Sequence, residues 1–413
     1  MAAGVADAHL IEVDRSWGVV GASTIGLTFS LGTLLLYTFG VFVRPLTAEF
    51  GWTRTQLSGA LALSQYTFAF AAPVWGMLID RFGPRAVLLP SVVCMALLVG
   101  SLSLLGNLWE YYLIFIAASF CAGGATPIGY AAVLVRRFER RLGLALGLAM
   151  MGVGIGAAVL PPLSAMLIHD FGWRAAYVGL GILTFVFTVP AALIATRRAS
   201  GPARTGIATP LAPLLPTPMP VLPLIISRTF ILICAIFVLL GATSIGTLTS
   251  IVPMMVGRGF TLQAAAKLAG LTGLAAICGR GGIGWVLDRV HPPFVVAGIA
   301  LAALGAYLLA AYGSGGTSGT VMALLLGAVV GAEVDFTAFF IRRYFGEATF
   351  SRLYGVAFGI FLIGVGTGPV LASTSFDHFG SYRPGSLLFA AGAVLVVLLT
   401  FVMPRPPAMR RAG

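Results

Sequence analysis

Residues 76–85 read Gly-Met-Leu-Ile-Asp-Arg-Phe-Gly-Pro-Arg, and residues 284–289 repeat the start of this stretch as Gly-Trp-Val-Leu-Asp-Arg. The two copies are 208 residues apart, close to half of the 413-residue chain. Other residues recur at the same offset: Gly51, Phe171 and Gly172 return as Gly259, Phe379 and Gly380. The sequence therefore predicts an internal duplication, with two related halves.

The composition excludes an ordinary water-soluble domain. The chain is 59% hydrophobic and 9% charged, with a mean hydropathy of +1.00. A soluble domain carries about a quarter charged residues, so this chain has too few to cover a water-facing surface. Its net charge of +12 comes from arginines in short loops between apolar runs, and Lys267 is the single lysine. This placement indicates membrane topology, not a nucleic-acid surface.

A helix needs about 20 apolar residues to cross a bilayer. Apolar runs predict twelve such helices, near 18–43, 57–79, 86–106, 110–135, 142–168, 175–196, 229–256, 264–287, 293–313, 319–341, 352–375 and 384–403. We therefore expect an all-α membrane protein of two pseudo-symmetric six-helix bundles, 18–196 and 224–403. A cytoplasmic N-terminal segment (1–17), a proline-rich cytoplasmic linker (197–223) and a cytoplasmic tail (404–413) complete the predicted organisation.

The basic residues predict the orientation. With the N-terminus inside, eighteen arginines fall on the cytoplasmic side and six basic residues outside. That asymmetry follows the positive-inside rule and places both termini in the cytoplasm. The first apolar run is too long for a cleavable signal, so we expect it to stay in the membrane. The arginine-rich composition indicates a bacterial inner membrane.

The stretch 76–85 resembles the G-x-x-x-D-R-x-G-R motif of the major facilitator superfamily, and the copy at 284–289 resembles a degraded form. The resemblance implies a carrier that works by alternating access. It also implies a cytoplasmic latch that stabilises the outward-facing state. We define the predicted latch by Asp80, Arg81, Arg85, Asp288 and Arg289. The physical basis is plausible, because a carboxylate at position 80 can face the positive end of a neighbouring helix.

Two further stretches resemble the monocarboxylate transporter family. Residues 14–19, Asp-Arg-Ser-Trp-Gly-Val, are similar to its D-G-G-W-G-W pattern. Residues 138–147, followed by Ala149, Gly152 and Gly156, are similar to its YFxKRRxLAxGxAxAGxxxG pattern. The oxalate:formate antiporter branch is close in overall pattern and stays an alternative. For Gly152 and Gly156 we expect helix packing, since small residues let helices approach closely in lipid.

Arg280 is the principal candidate for a binding residue. It lies in the predicted eighth span, seven residues before its cytoplasmic end, or roughly 10 Å inside the helix. A charge at that depth needs a partner or water, and a guanidinium fits a carboxylate in bidentate fashion. The resemblance also places an anion-binding arginine in this helix. We predict that Arg280 binds a substrate carboxylate; a structural ion pair with Glu333 or Asp335 is the alternative.

Glu333 is the candidate for proton coupling, because an incoming anion could displace it from Arg280 and leave it to take a proton. A purely structural role is the alternative. The sequence departs from the resembled family at two positions: Ala276 stands where animal members carry an acid, and Tyr37 stands where they carry a lysine. The hydroxyl of Tyr37 could still donate a hydrogen bond to a carboxylate.

Tyr130, Phe358 and Phe361 could form an apolar wall of the substrate pathway, although packing is the usual role of such residues. Together these features predict a monomeric carrier that moves a small monocarboxylate, such as lactate or pyruvate, with a proton. Exchange of two organic anions and export of amphipathic compounds are the alternatives. We expect no enzyme activity, cofactor or metal, since Lys267 lacks the context of a nucleotide-binding loop and the four cysteines are scattered.

Overall fold

The computed structural model describes residues 17–138, 142–197, 221–287, 292–345 and 350–404. Within these ranges the regular structure is helical, and no strand occurs. In the part of the chain that the structure describes, ten helices are long and apolar enough to cross a membrane. One of them, Leu144–Ala195, is 52 residues long and breaks at Gly172, so that it contains two of the predicted spans. The predicted all-α membrane fold is confirmed.

Helical segments lie at all twelve predicted positions, and we label them α1 to α12 in chain order. They are α1 (Trp17–Tyr37, continued by Phe39–Phe50), α2 (Arg54–Phe82), α3 (Pro84–Ser101), α4 (Leu108–Cys121, continued by Pro127–Val135), α5 and α6 (the parts of Leu142–Ala195 before and after Gly172), α7 (Arg228–Gly257), α8 (Leu262–Leu287), α9 (Pro292–Tyr312), α10 (Gly316–Phe345), α11 (Phe350–Phe379) and α12 (Arg383–Val402). The short helix Val221–Ile225 precedes α7. The segment 1–16, most of the linker and the tail from residue 405 lie outside the described residues.

Local signals in the sequence set the helix ends. The second part of α1 stops at Gly51, whose positive φ of 69° favours glycine, and α2 begins with a capping box formed by Thr53 and Gln56. In the same way, Asn107 starts α4 by accepting a hydrogen bond from the Glu110 amide at 2.9 Å. Each cap satisfies backbone groups that a helix end leaves without partners.

The duplication is visible in both backbone and packing. Gly51 and Gly259 have φ values of 69° and 92°, and Gly172 and Gly380 have values of 81° and 64°. In the first six helices α1 packs on α5, α2 on α4 and α3 on α6. The same pairs recur six helices later, as α7 with α11, α8 with α10 and α9 with α12. The repeat at an offset of 208 residues therefore describes two halves of the same construction.

The halves meet along three helix pairs, α1 with α7, α2 with α11 and α5 with α8. Among the described residues, five hydrogen bonds join α2 and its N-terminal turn to α11 and the turn that follows it; we call this set the outer contact. It comprises Arg54 with Tyr382 (2.6 Å) and with Asp377 (3.4 Å), Thr55 with Asp377 (2.8 Å) and Thr374 (3.3 Å), and Tyr66 with Thr367 (2.8 Å). The Arg54 guanidinium also lies 3.5 Å from the Phe376 ring centroid. Four of the five bonds lie at the end of the bundle predicted to face outside, and the Tyr66–Thr367 bond lies about three helical turns further in.

Two of the predicted membrane-spanning helices, α1 and α4, are interrupted by irregular turns. The apolar runs in the sequence did not indicate these interruptions. In α1 the regular helix gives way at Ser30 and resumes as a π-helical turn, Gly32–Tyr37. In α4 a 3-10 turn, Gly123–Ala125, separates the two helical parts, and Pro127 opens the second. Glycine, serine and proline weaken or end helices, and in lipid such breaks persist where neighbouring helices cover the backbone.

Candidate functional site

Arg280 is positioned by the close approach of α8 and α10. A Cβ added at Gly279 would lie 2.7 Å from the Ala328 carbonyl oxygen, and one at Gly331 would lie 2.2 Å from the Ala276 carbonyl oxygen. Only glycine fits such contacts, which bring Arg280 Nε to 3.4 Å from the carbonyl oxygen of Gly331. The arginine is half-buried and interacts electrostatically with Glu333.

Glu333 lies on α10 and is 2% exposed. The Ser244 hydroxyl of α7 donates to Glu333 Oε2 at 2.6 Å. Ser244 Oγ also lies 2.7 Å from the Leu240 carbonyl oxygen of its own helix. Such a short bond to a buried carboxyl fixes the orientation of its side chain. Burying the carboxyl without this hydrogen bond would cost about 1–3 kcal/mol of stability, and more if the carboxyl is ionised.

Tyr37 brings the first half of the chain into the site. It closes the π-helical turn of α1, and its half-buried side chain interacts electrostatically with both Arg280 and Glu333. Irregular turns of this type are frequent at functional sites because they redirect side chains. The structure thus brings together three of the predicted residues, from α1, α8 and α10.

A second polar pair lies beside this group, and the sequence reasoning did not find it. The hydroxyl of Tyr307 in α9 donates to Thr243 Oγ1 in α7 at 3.0 Å, and both side chains are buried. Tyr307 also interacts electrostatically with Glu333. The sequence did contain a signal for this pair: Tyr307 lies in the middle of an apolar span, and the hydroxyl of a buried tyrosine needs a hydrogen-bond partner.

Of the predicted aromatic wall, Phe358 and Phe361 lie on α11 and stack on each other at 5.9 Å between centroids. Phe361 is buried against Gly241 of α7, where an added Cβ would lie 2.8 Å from its ring. Gly241 precedes Ser244 by one helical turn, so this packing borders the part of α7 whose Ser244 donates to Glu333.

Tyr130 lies elsewhere, in the first half. It is fully buried against Gly26 of α1, where an added Cβ would lie 2.0 Å from its hydroxyl oxygen. That hydroxyl has no hydrogen-bond partner among the described residues, and none of the described contacts of Tyr130 is with Arg280. Gly152 and Gly156 of α5 pack on α1 against the carbonyls of Thr24 and Thr28, so their predicted packing role is confirmed.

The predicted latch is described only in part. Arg81, at the end of α2, and Arg85, at the start of α3, have exposed side chains. Asp288 and Arg289 lie outside the described residues, as do the side chains of Asp80 and Asp335. The latch therefore stays a prediction.

Comparison with known proteins decides the family. The sequence profile of the Major Facilitator Superfamily matches residues 25–341, about three quarters of the chain. The chain belongs to this superfamily. Membership agrees with the multi-pass helical fold and makes the protein a membrane transporter, not an enzyme.

Among curated relatives, the chain is similar to monocarboxylate transporter 11 of Mus musculus, with 28% identity over 68% of this chain and 61% of that protein. It thus matches less than two thirds of that relative's length. It is also similar to monocarboxylate transporter 13 of Rattus norvegicus, with 24% identity over 94% of this chain and 90% of that protein. A third relative is the multidrug resistance protein MdtG of Dickeya zeae, with 23% identity over 87% of both chains.

Solved structures show the same fold. The nucleoside transporter NupG (D323A mutant) superimposes with a TM-score of 0.72 and 14% identity, over 94% of this chain and 99% of NupG. A bacterial homologue of the lysosomal transporter Spinster, in an inward-facing and unoccupied conformation, gives a TM-score of 0.68 and 14% identity, over 95% and 96% of the two chains. At this identity the likeness concerns the fold alone.

Proposed function

We propose that this transporter moves a small monocarboxylate, such as lactate or pyruvate, together with a proton. Arg280 binds the carboxylate, and Tyr37 contributes a hydrogen bond from the opposite half. The observation that carries the proposal is the convergence of Arg280, Tyr37 and Glu333 where the two halves meet. The two relatives named monocarboxylate transporters support a small organic anion as substrate.

Glu333 carries the proton in this proposal, and the hydroxyl beside it suggests how. Ser244 has one hydroxyl hydrogen, yet its oxygen lies within 2.7 Å of both Glu333 Oε2 and the Leu240 carbonyl. A protonated Glu333 can donate to Ser244 while Ser244 donates to Leu240. An ionised Glu333 instead accepts the hydrogen bond of the Ser244 hydroxyl. The Leu240 carbonyl then keeps only the backbone bonds of its helix. Both charge states therefore have a bonding arrangement.

The binding event and the protonation are linked through Arg280. With the site empty, the positive charge of Arg280 offsets part of the cost of burying an ionised Glu333. An arriving carboxylate neutralises Arg280, so Glu333 then binds a proton. One anion and one proton cross together, and the transported charge is zero.

Alternating access is the second part of the proposal. In the present conformation the halves are joined by the outer contact, at the end predicted to face outside. This supports a pathway that is closed outside and opens to the cytoplasm. Duplicated carriers change access by rocking one half against the other around a central site.

Export of amphipathic compounds is a second candidate, favoured by the similarity to MdtG over 87% of the chain. A carrier of that type would use an apolar cavity and would tolerate loss of Arg280. Exchange of organic anions of the oxalate and formate type is a third candidate. Arg280 is the one fixed cation that the described residues bring to this site, which favours a monoanion over a dianion.

The deciding experiment is uptake of labelled L-lactate into proteoliposomes, with and without an inside-alkaline pH gradient. We would compare the wild type, Arg280→Ala and, as a matched control, Arg44→Ala, which removes an exposed arginine at the opposite end of the pathway. Gradient-driven uptake should fall at least roughly thirtyfold in Arg280→Ala, since loss of a buried charge partner costs about 2 kcal/mol or more. The control should transport normally.

Other outcomes lead to the other candidates. Exchange of oxalate for formate without stimulation by the gradient would favour the antiporter. Equal transport by the wild type and Arg280→Ala, or extrusion of amphipathic dyes by both, would refute carboxylate binding by Arg280 and favour the exporter.

A further inference from the structure

A groove of about 440 Å³ lies between the start of α3 and the end of α6, outside the site described above. Its lining has two arginines, Arg85 and Arg197, and three apolar residues, Pro190, Leu193 and Ile194. The arginine distribution predicts that these helix ends are cytoplasmic. The groove therefore lies where the headgroups of the inner leaflet meet the hydrocarbon.

The polar side of the groove concentrates positive charge. The Arg137 side chain donates to the backbone carbonyl of Arg197. Arg136 lies close to Gly83, the residue before α3, because its Nη1 would be 4.0 Å from a Cβ added there. Within the part of the chain that the structure describes, the carboxylate ion pairs involve other residues. Two arginines therefore line the groove, with Arg137 bonded to the backbone of one of them, and the complement of such a surface is an anion.

The start of α3 adds to this field. Gly83 has a φ of 81°, and none of the described side chains caps the first turn, which opens with Pro84. The free amides and the dipole of a helix N-terminus favour a negative group nearby. By itself such a terminus indicates nothing, but here Arg85 belongs to its first turn and lines the groove.

The other wall is apolar and open. Leu193 is 40% exposed and Ile194 is 46% exposed, and Pro190 lies one turn before them on α6. A free phosphate ion would use the arginines only, whereas a phospholipid would use both walls. Basic pockets between helices on the cytoplasmic side are suited to anionic lipid headgroups.

We propose that this groove is a binding site for an anionic phospholipid of the cytoplasmic leaflet. The lipid phosphate lies between Arg85 and Arg197, and an acyl chain covers Leu193 and Ile194. This site is separate from Arg280 and Glu333 but shares Arg85 with the predicted latch, and it does not depend on the identity of the transported solute.

Native mass spectrometry of delipidated protein in detergent tests the proposal, with phosphatidylglycerol and phosphatidylcholine of the same acyl chains as probes. Arg85→Gln/Arg197→Gln removes the headgroup contacts. Arg44→Gln/Arg383→Gln removes the same charge from exposed positions at the other end of the bundle and serves as the matched control. We expect the wild type and the control to retain phosphatidylglycerol at least fivefold more than the double groove variant.

A second variant tests the apolar wall. Leu193→Gln/Ile194→Gln keeps all arginines, so it should still bind inorganic phosphate but lose phosphatidylglycerol. If the double arginine variant does not fold, the single variants Arg85→Gln and Arg197→Gln answer the same question. Equal lipid retention by the groove and control variants would overturn the proposal. So would equal binding of the two lipids, or displacement of phosphatidylglycerol by inorganic phosphate at equal concentration.

Discussion

Replacing Gly331 by alanine should separate the two helices that carry the charged residues of the site. The new Cβ would lie 2.2 Å from the Ala276 carbonyl oxygen, whereas real Cβ contacts below 3.0 Å essentially do not occur. The two backbones must therefore move apart by about 1 Å, because the obstacle is backbone and cannot rotate away. The bond between Arg280 and the Gly331 carbonyl is already 3.4 Å long, and this shift takes it beyond hydrogen-bond range.

The expected loss of transport follows from this displacement. A misplacement of about 1 Å can lower the rate of a positioned reaction by about a hundredfold. We expect lactate uptake by Gly331→Ala to fall at least tenfold, together with a loss of thermal stability equivalent to about 1–3 kcal/mol for an overpacked contact. Uptake into proteoliposomes gives the first quantity, and thermal unfolding in detergent gives the second.

Gly298→Ala is the matched control, because nothing lies within 4 Å of an added Cβ at this position of α9. It should transport normally and be slightly more stable, since alanine is favoured over glycine in a helix by about 1 kcal/mol. Normal uptake by Gly331→Ala with an unchanged KM would refute the view that the α8–α10 contact positions Arg280.

Three further substitutions test other parts of the structure. Asp377→Asn weakens the contact of this side chain with the α2 N-terminus by about 0.5–1 kcal/mol, because the negative charge is lost. Amide hydrogen exchange at residues 54–66 should therefore rise roughly two- to fivefold, and unchanged exchange would argue that the outer contact does not hold the two halves together. Ser244→Ala removes a bond worth about 1.5–3 kcal/mol to Glu333, so gradient-driven uptake should fall about tenfold or more, and Ser244→Thr should restore it. Tyr130→Phe should leave the unfolding temperature unchanged or higher, because its hydroxyl has no partner; a marked fall would reveal a bond formed in another conformation.

The helix positions were predictable because lipid imposes a length and a composition on each span. All twelve predicted segments lie within a few residues of observed helices, with the first continuing to Phe50. The breaks in α1 and α4 were not predicted, because an average over an apolar run does not register a local turn at Ser30 or at Gly123. Their stability depends on packing by other helices, which a single segment does not encode.

The site was predictable in its charges and less so in its neutral partners. Arg280 and Glu333 stand out because charges are rare in apolar spans. Tyr307 and Thr243 do not, since buried hydroxyls occur throughout such helices and most bond to their own backbone. The pathway role of Tyr130 rests on residue type and stays a prediction; the structure packs this side chain on Gly26 of α1. Which face of a helix a residue occupies depends on the neighbouring helices.

The glycine contacts that join α8 to α10 have a consequence for how such a carrier can diversify. Arg280 and Glu333 belong to one rigid pair of helices, so their mutual geometry persists whichever way the two halves tilt. Tyr37 belongs to the other half, and it alone of the three changes its distance as the halves rock. Under the proposed function, the energy-coupling chemistry is thus confined to one half, while the opposite wall can vary. Substitutions in α1 can alter which solutes are accepted and leave the use of the proton gradient intact.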